Sequence, residues 1–209
     1  MLHIRRDNRF PVKSAVITII ALALLAAGGY ILLLAMTPKL SIFYPSQPMD
    51  VSALEAPKPT DNRIIIPSIN VNIPYGDDGE AALDRGAWWR HPDRGNPEKG
   101  GNFIIAAHRF SIQPTPQATV EKSPFYHLDK VKEGDPIIVD FNGKRYGYKV
   151  SKQYTVAPNQ TEIEAESEEP KLTLYSCELG GADAGRVVFE AKPVGEVTTE
   201  EAENTTDAL

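Results

Sequence analysis

Residues 14–35 read SAVITIIALALLAAGGYILLLA, 22 positions without a charged side chain. As a helix rising about 1.5 Å per residue, such a run covers a hydrocarbon core about 30 Å thick, so a membrane span is predicted here. Arg5, Arg6, Arg9 and Lys13 precede it against the single acid Asp7, while only Lys39 follows closely. Basic residues are retained on the cytoplasmic side of a span. Residues 1–13 are therefore expected in the cytoplasm, residues 14–36 in the cell membrane as a single pass, and the rest outside the cell. A cleaved signal peptide has an apolar region of only about 7–15 residues ending in a small-residue site. Ala26, Ala27, Gly28 and Gly29 imitate part of such a site, but the apolar run continues through Tyr30 to Ala35, which favours an uncleaved anchor.

Residues 37–62 carry five prolines, at 38, 45, 48, 57 and 59. Proline blocks helix continuation and favours extended chain, so this stretch is predicted to be a semi-rigid extracellular stalk. Residues 195–209 hold five acids and no Lys or Arg, with few apolar side chains to bury, and are expected to form a disordered acidic tail. One domain, residues 63–194, remains between them. It consists of short apolar runs separated by turn residues, at 63–66, 71–73, 87–89, 103–107, 136–141, 145–154, 172–176 and 187–192. These are strand lengths. The pair Asn142-Gly143 between two such runs predicts a two-residue hairpin. Residues 80–85 and 123–131 are compatible with short peripheral helices. About eight strands in one unit predict an all-β fold, a closed or nearly closed barrel preceded by one transmembrane helix.

Composition removes several classes of function. A net charge of −6 and a pI near 5.3, with no basic stripe after Lys13, exclude a nucleic-acid partner. One cysteine, Cys177, excludes an internal disulfide and a thiolate zinc cluster. No glycine-rich phosphate loop and no helically spaced His pair are present, so neither cofactor nor metal is expected. The acids Glu162, Glu164, Glu166, Glu168 and Glu169 read as a solvated loop rather than a cation site. His91 and His127 read as structural histidines. The neighbours Trp88 and Trp89 are expected to divide between core and surface, as adjacent residues on a strand do.

Chemistry concentrates on residues 171–177. Strand alternation places Leu172 and Leu174 on one face and Thr173, Tyr175 and Cys177 on the other. Cys177 stands where the strand gives out, just before Gly180 and Gly181. A nucleophile at such a rim is held rigidly and still meets substrate.

Thr173-Leu174-Tyr175-Ser176-Cys177, followed by Arg186-Val187-Val188, resembles the sortase signature of Thr-Leu-x-Thr-Cys at a strand end and Arg opening the next strand. Ser176 replaces the usual second Thr, keeping a hydroxyl and losing a methyl. Residues 101–109, ending Ala106-Ala107-His108-Arg109, resemble the apolar strand before the family's catalytic His, although Gly more often precedes that His. Pro124, Phe125, Leu128, Gly134, Asp135, Ile137 and the strand from Tyr146 to Val150 follow the family's order. The resemblance runs from about residue 63 to residue 194. It lacks the Asp-Pro-aromatic lid and second span of the pilus-polymerising kind, and residues 157–170 are too few for the helical insertion of the iron-uptake kind. A housekeeping-like or related single-span class is therefore expected.

This resemblance implies a cysteine transpeptidase with Cys177 as nucleophile, His108 as acid and base, and Arg186 as oxyanion stabiliser. Thr173, Tyr175 and Ser176 are candidate substrate contacts. Its expected substrate is a Leu-Pro-x-Thr-Gly-like sorting signal of surface proteins, and its expected acceptor a cell-wall amine. The roles agree with what a thiol needs. Free Cys has a pKa near 8.5 and gains from cationic neighbours; imidazole exchanges protons near neutrality; guanidinium presents a planar set of donors to an oxyanion. A catalytically silent peptide-binding module and a pilin-polymerising sortase are the alternatives.

Overall fold

A computed structural model describes residues 12–40, 42–43, 47–198 and 201–202. The basic residues Arg5, Arg6 and Arg9 and the end of the acidic tail, residues 203–209, lie outside the described residues. Helix α1 (Val12–Met36) contains the whole apolar run, and almost all of its side chains face outward from the protein. It is long and apolar enough to cross a membrane.

Among the described residues nine strands follow: β1 (Arg63–Ile66), β2 (Val71–Gly76), β3 (Ala87–Arg90), β4 (Gly95–Asn96), β5 (Gly100–Ala107), β6 (Pro136–Phe141), β7 (Lys144–Val156), β8 (Lys171–Glu178) and β9 (Gly181–Glu196). Their order is β3-β2-β1-β6-β7-β9-β8-β5, and β3 pairs back onto β5, closing an eight-stranded barrel; the two-residue β4 pairs with β5 beside the closure. The eight predicted runs are the eight barrel strands. Asn142 and Gly143 both take positive φ, 51° and 81°, in the β6–β7 hairpin, as its two-residue turn requires.

Alternation sorts the side chains. Ile64, Ile66, Phe103, Ile105, Ala107, Leu172, Leu174 and Phe189 fill the interior. Trp89 meets Tyr75, Phe103 and Phe141 there, edge to face within that core. On the outside, Ile65 and Ile138 form a second cluster with Val51 and Ala202.

That outer cluster corrects two expectations. The proline-rich segment before the barrel does not stand clear of it: Val51 is buried, Met49 donates its backbone N–H to Pro67, and Arg145 donates Nη2 to the Glu55 carbonyl at 2.8 Å. The acidic tail also docks at its start. Gly195 and Glu196 continue β9 against β7, Val197 donates to the Arg145 carbonyl, and Ala202 is buried. A few apolar groups suffice because the barrel offers them a preformed apolar face.

Helix α2 (Glu80–Arg85) coincides with its predicted range. The second predicted helix, residues 123–131, is instead a series of turns with a single 3-10 turn at Leu128–Lys130, while helix α3 (Pro116–Glu121) precedes it. Thr115 caps α3 through Ala118 N–H, and Pro116 opens it where no N–H is needed.

Candidate active site

Strands β5 and β8 run parallel, with Ala106 opposite Tyr175, and β8 runs antiparallel to β9, with Cys177 opposite Arg186. Continuing the β5–β8 register by two residues sets His108 level with Cys177. The three predicted catalytic side chains thus fall in one row across three neighbouring strands, on the outer face of the barrel. All three line a pocket of about 280 Å³, with Trp88, Arg90, Ala106, Tyr175 and the β7–β8 loop residues Pro158, Gln160, Thr161 and Ile163.

Local bonds explain why the row is held. Ser176 donates its hydroxyl to the Ala107 carbonyl at 2.7 Å, locking the end of β8 to the end of β5. Regular β8–β9 pairing ends at Cys177, and the register shifts before Glu178. Cys177 is therefore the last residue fixed by the regular ladder, half-buried and free. Arg186 donates Nη1 to the carbonyls of Ala182 and Gly185, at 2.7 and 2.9 Å, so the first residues of β9 set the position of its guanidinium.

The opposite wall hangs on one carboxylate. Glu164 closes the 3-10 turn Thr161–Glu164 of the β7–β8 loop, and its side chain is only 9% exposed. It accepts from Arg90 Nε and Nη2 at 2.8 and 3.1 Å and from the Tyr175 hydroxyl at 2.5 Å, with His91 Nε2 at 3.1 Å. Arg94 Nη1 donates to the Glu164 carbonyl. Burial acts to raise the Glu164 carboxyl, but the donors Arg90, Tyr175 and His91 outweigh it and hold the group below the ordinary carboxylate range. Burial first, and then the bond to Glu164, push the Tyr175 phenol well above its ordinary value. A second anchor lies deeper: Asn102 Nδ2 donates to the carbonyls of Ile163 and Ala165, and Thr173 donates its hydroxyl to Asn102 Oδ1 at 2.6 Å.

These bonds reassign the candidate substrate contacts. Thr173 is fully buried and outside the pocket, its hydroxyl engaged by Asn102. Ser176 borders the pocket, but its hydroxyl is spent on Ala107. Tyr175 borders it too, with its hydroxyl held by Glu164. The first two build the site rather than face a ligand. The acids of residues 162–169 do not act alike: Glu164 turns inward, whereas Glu162, Glu166, Glu168 and Glu169 are exposed.

Three contributors escaped the sequence reading. Trp88 lines the pocket while Trp89 enters the core, and Arg90 stacks over the Trp88 ring at 4.1 Å. Strand parity would have found Trp88, because it sits opposite Ala106, the residue opposite Tyr175. Glu164 carried no such signal, since its partners lie on distant strands.

A closed eight-stranded barrel with a rim cysteine, a neighbouring histidine and a facing arginine defines a class. A family model described as the sortase domain matches residues 64–194, more than half of the chain, and the chain belongs to the sortase family. Sortase E1 of Streptomyces coelicolor is 31% identical over 93 residues, covering 41% of this chain and 24% of that protein; the chain thus spans about a quarter of the length of this relative. Among solved structures, sortase A from Listeria monocytogenes aligns with a TM-score of 0.55 at 24% identity, over 73% of this chain and 97% of that one. Sortase A from Corynebacterium diphtheriae gives 0.53 at 26%, over 66% and 61%. Sortase E1 from Streptomyces coelicolor, with a tripeptide in its active site, gives 0.52 at 24%, over 68% and 91%.

Proposed function

We propose that this protein is a membrane-anchored cysteine transpeptidase acting on sorting signals of surface proteins. The observation that carries this reading is the row of His108, Cys177 and Arg186 on one wall of a single pocket. The Cys177 thiolate attacks the carbonyl carbon of the scissile peptide bond, and the oxyanion so formed takes charge-assisted hydrogen bonds from Arg186. Imidazolium at His108 protonates the leaving amine as the C–N bond breaks, and the acyl group remains on Cys177 as a thioester. An acceptor amine then attacks the thioester, gives its proton to His108, and releases the Cys177 thiolate. Covalent catalysis of this kind replaces one difficult step with two easier ones.

The groove suits an extended peptide: Trp88, Ala106 and Ile163 offer apolar surface, with Arg90 and Gln160 beside it. A Leu-Pro-x-Thr-Gly-like signal and a cell-wall amine are the substrates proposed. Family membership supports both, and the relative solved with a tripeptide in its active site supports a peptide in the groove. We assign α1 as the anchor, with the N-terminus cytoplasmic and the barrel outside, because basic residues gather before the span.

The test is transfer of a sorting peptide to an amine acceptor by the purified protein. Cys177→Ala should abolish transfer and His108→Ala nearly abolish it. Arg186→Lys should lower the rate on the order of 100-fold, because a point charge does not replace a planar fork of donors. Transfer at the parental rate by folded Cys177→Ala overturns the proposal.

A further inference from the structure

The connection that begins at His108 meets the end of the apolar helix. Tyr30 of α1 donates its hydroxyl to the Pro114 carbonyl at 2.6 Å. Leu34, Thr37 and Pro38 are buried, α3 packs against the 3-10 turn Thr37–Lys39, and the His127 ring bonds to the backbone of Pro38. The helix end is thus seated on the barrel through the β5–β6 connection.

Tyr30 lies six residues before Met36, about 9 Å down the helix. Tyrosine gathers where the headgroups begin, its ring apolar and its hydroxyl wet. The Pro114 carbonyl is therefore level with the outer part of the span. The chain around it matches that setting. Residues 110–120, FSIQPTPQATV, contain no charged side chain in a protein that is 24% charged, and Ile112 at their tip is 51% exposed. An exposed isoleucine on an uncharged loop, pinned beside a membrane helix, has one available apolar neighbour, the lipid.

We propose that residues 110–115 form a membrane-contact surface that sets Ile112 into the interfacial zone of the outer leaflet. The inference rests on α1 being the membrane anchor. Ile112 is four residues from His108, at most about 14 Å of extended chain. The barrel consequently rests on the bilayer by the loop next to its active-site row, and its groove opens close to the lipid surface. Partners that are themselves held at the membrane can then reach Cys177 without leaving it.

The test uses the full-length chain in a Cys177→Ala background, reconstituted into vesicles of phosphatidylcholine and phosphatidylglycerol. Single cysteines from Ile112→Cys, Leu25→Cys and Glu168→Cys carry an environment-sensitive nitrobenzoxadiazole label, and nitroxide lipids serve as quenchers. All three sites are exposed on the protein, so circular dichroism should show an unchanged fold. The label at position 112 should emit to the blue of that at position 168 and be quenched by a shallow nitroxide several-fold more strongly. The label at position 25 should respond to a deep nitroxide. If position 25 is lipid-buried while position 112 behaves like position 168, the contact surface is refuted and the anchor stands. If position 25 is water-exposed, the anchor reading fails and this inference falls with it.

Discussion

The barrel interior and the groove wall are built from opposite faces of the same strands, yet different forces hold them. Inside, Phe103, Ile105 and Ala107 of β5 pack against Leu172, Leu174 and Phe189. Outside, Ile104 and Ala106 of the same strand support a surface whose far side is fastened by the carboxylate of Glu164. Apolar packing is collective and non-directional, so its loss is felt by the whole domain. A carboxylate clamp is local and directional, so its loss should move one loop. Stability and substrate fit are therefore expected to rest on different residues.

The largest effect should come from the interior. Phe103→Ala removes a fully buried ring and should cost about 3–5 kcal/mol in chemical denaturation, with activity falling only as the folded fraction falls. Glu164→Gln should be milder, about 1–3 kcal/mol, because it leaves donors of Arg90 and Tyr175 without their charged acceptor. Its main effect should be on substrate: steady-state kinetics should give a KM raised roughly tenfold with kcat nearly unchanged, the pattern of lost uniform binding. Equal losses from both variants in stability and in KM would remove the distinction between the two faces.

Acid should loosen the wall. The Glu164 carboxyl titrates below its ordinary value, so its contribution is complete above the unfolded-state value and is lost as pH falls through the folded one. Peptide affinity should therefore hold from neutrality down to the ordinary carboxylate range and drop below it. Glu164→Gln should flatten that acid limb.

The smallest effect is expected at the tail. Truncation after Glu196 removes Val197 and Ala202 from the outer cluster and should lower Tm by about 2–5 °C without changing the rate per folded molecule. Calorimetry of the truncated chain decides it, and an unchanged Tm would mean that this docking contributes nothing.

What the sequence disclosed follows the reach of each signal. Strand runs and the Asn142-Gly143 turn are local patterns, so the barrel strands were legible. β4 has two residues and no hydrophobic pattern to read. Successive turns occupy residues 123–131, where a short helix is expected, while the cap of α3, Thr115 followed by Pro116, stands just upstream. Cys177, His108 and Arg186 could be proposed from the sequence because each is embedded in a short local motif. Glu164 looked like one of five interchangeable acids; only the tertiary arrival of Arg90, His91 and Tyr175 singles it out.

Cys177 as nucleophile requires a covalent intermediate. A sorting peptide mixed with the protein and quenched in acid, before an amine acceptor is added, should leave an acyl adduct detectable by intact-protein mass spectrometry. Digestion should place it on the peptide containing Cys177, and neutral hydroxylamine should release it as expected for a thioester. The adduct should be absent from Cys177→Ala and should transfer on addition of the amine. Peptide cleavage without any adduct on Cys177, or an adduct that persists in Cys177→Ala, would contradict it.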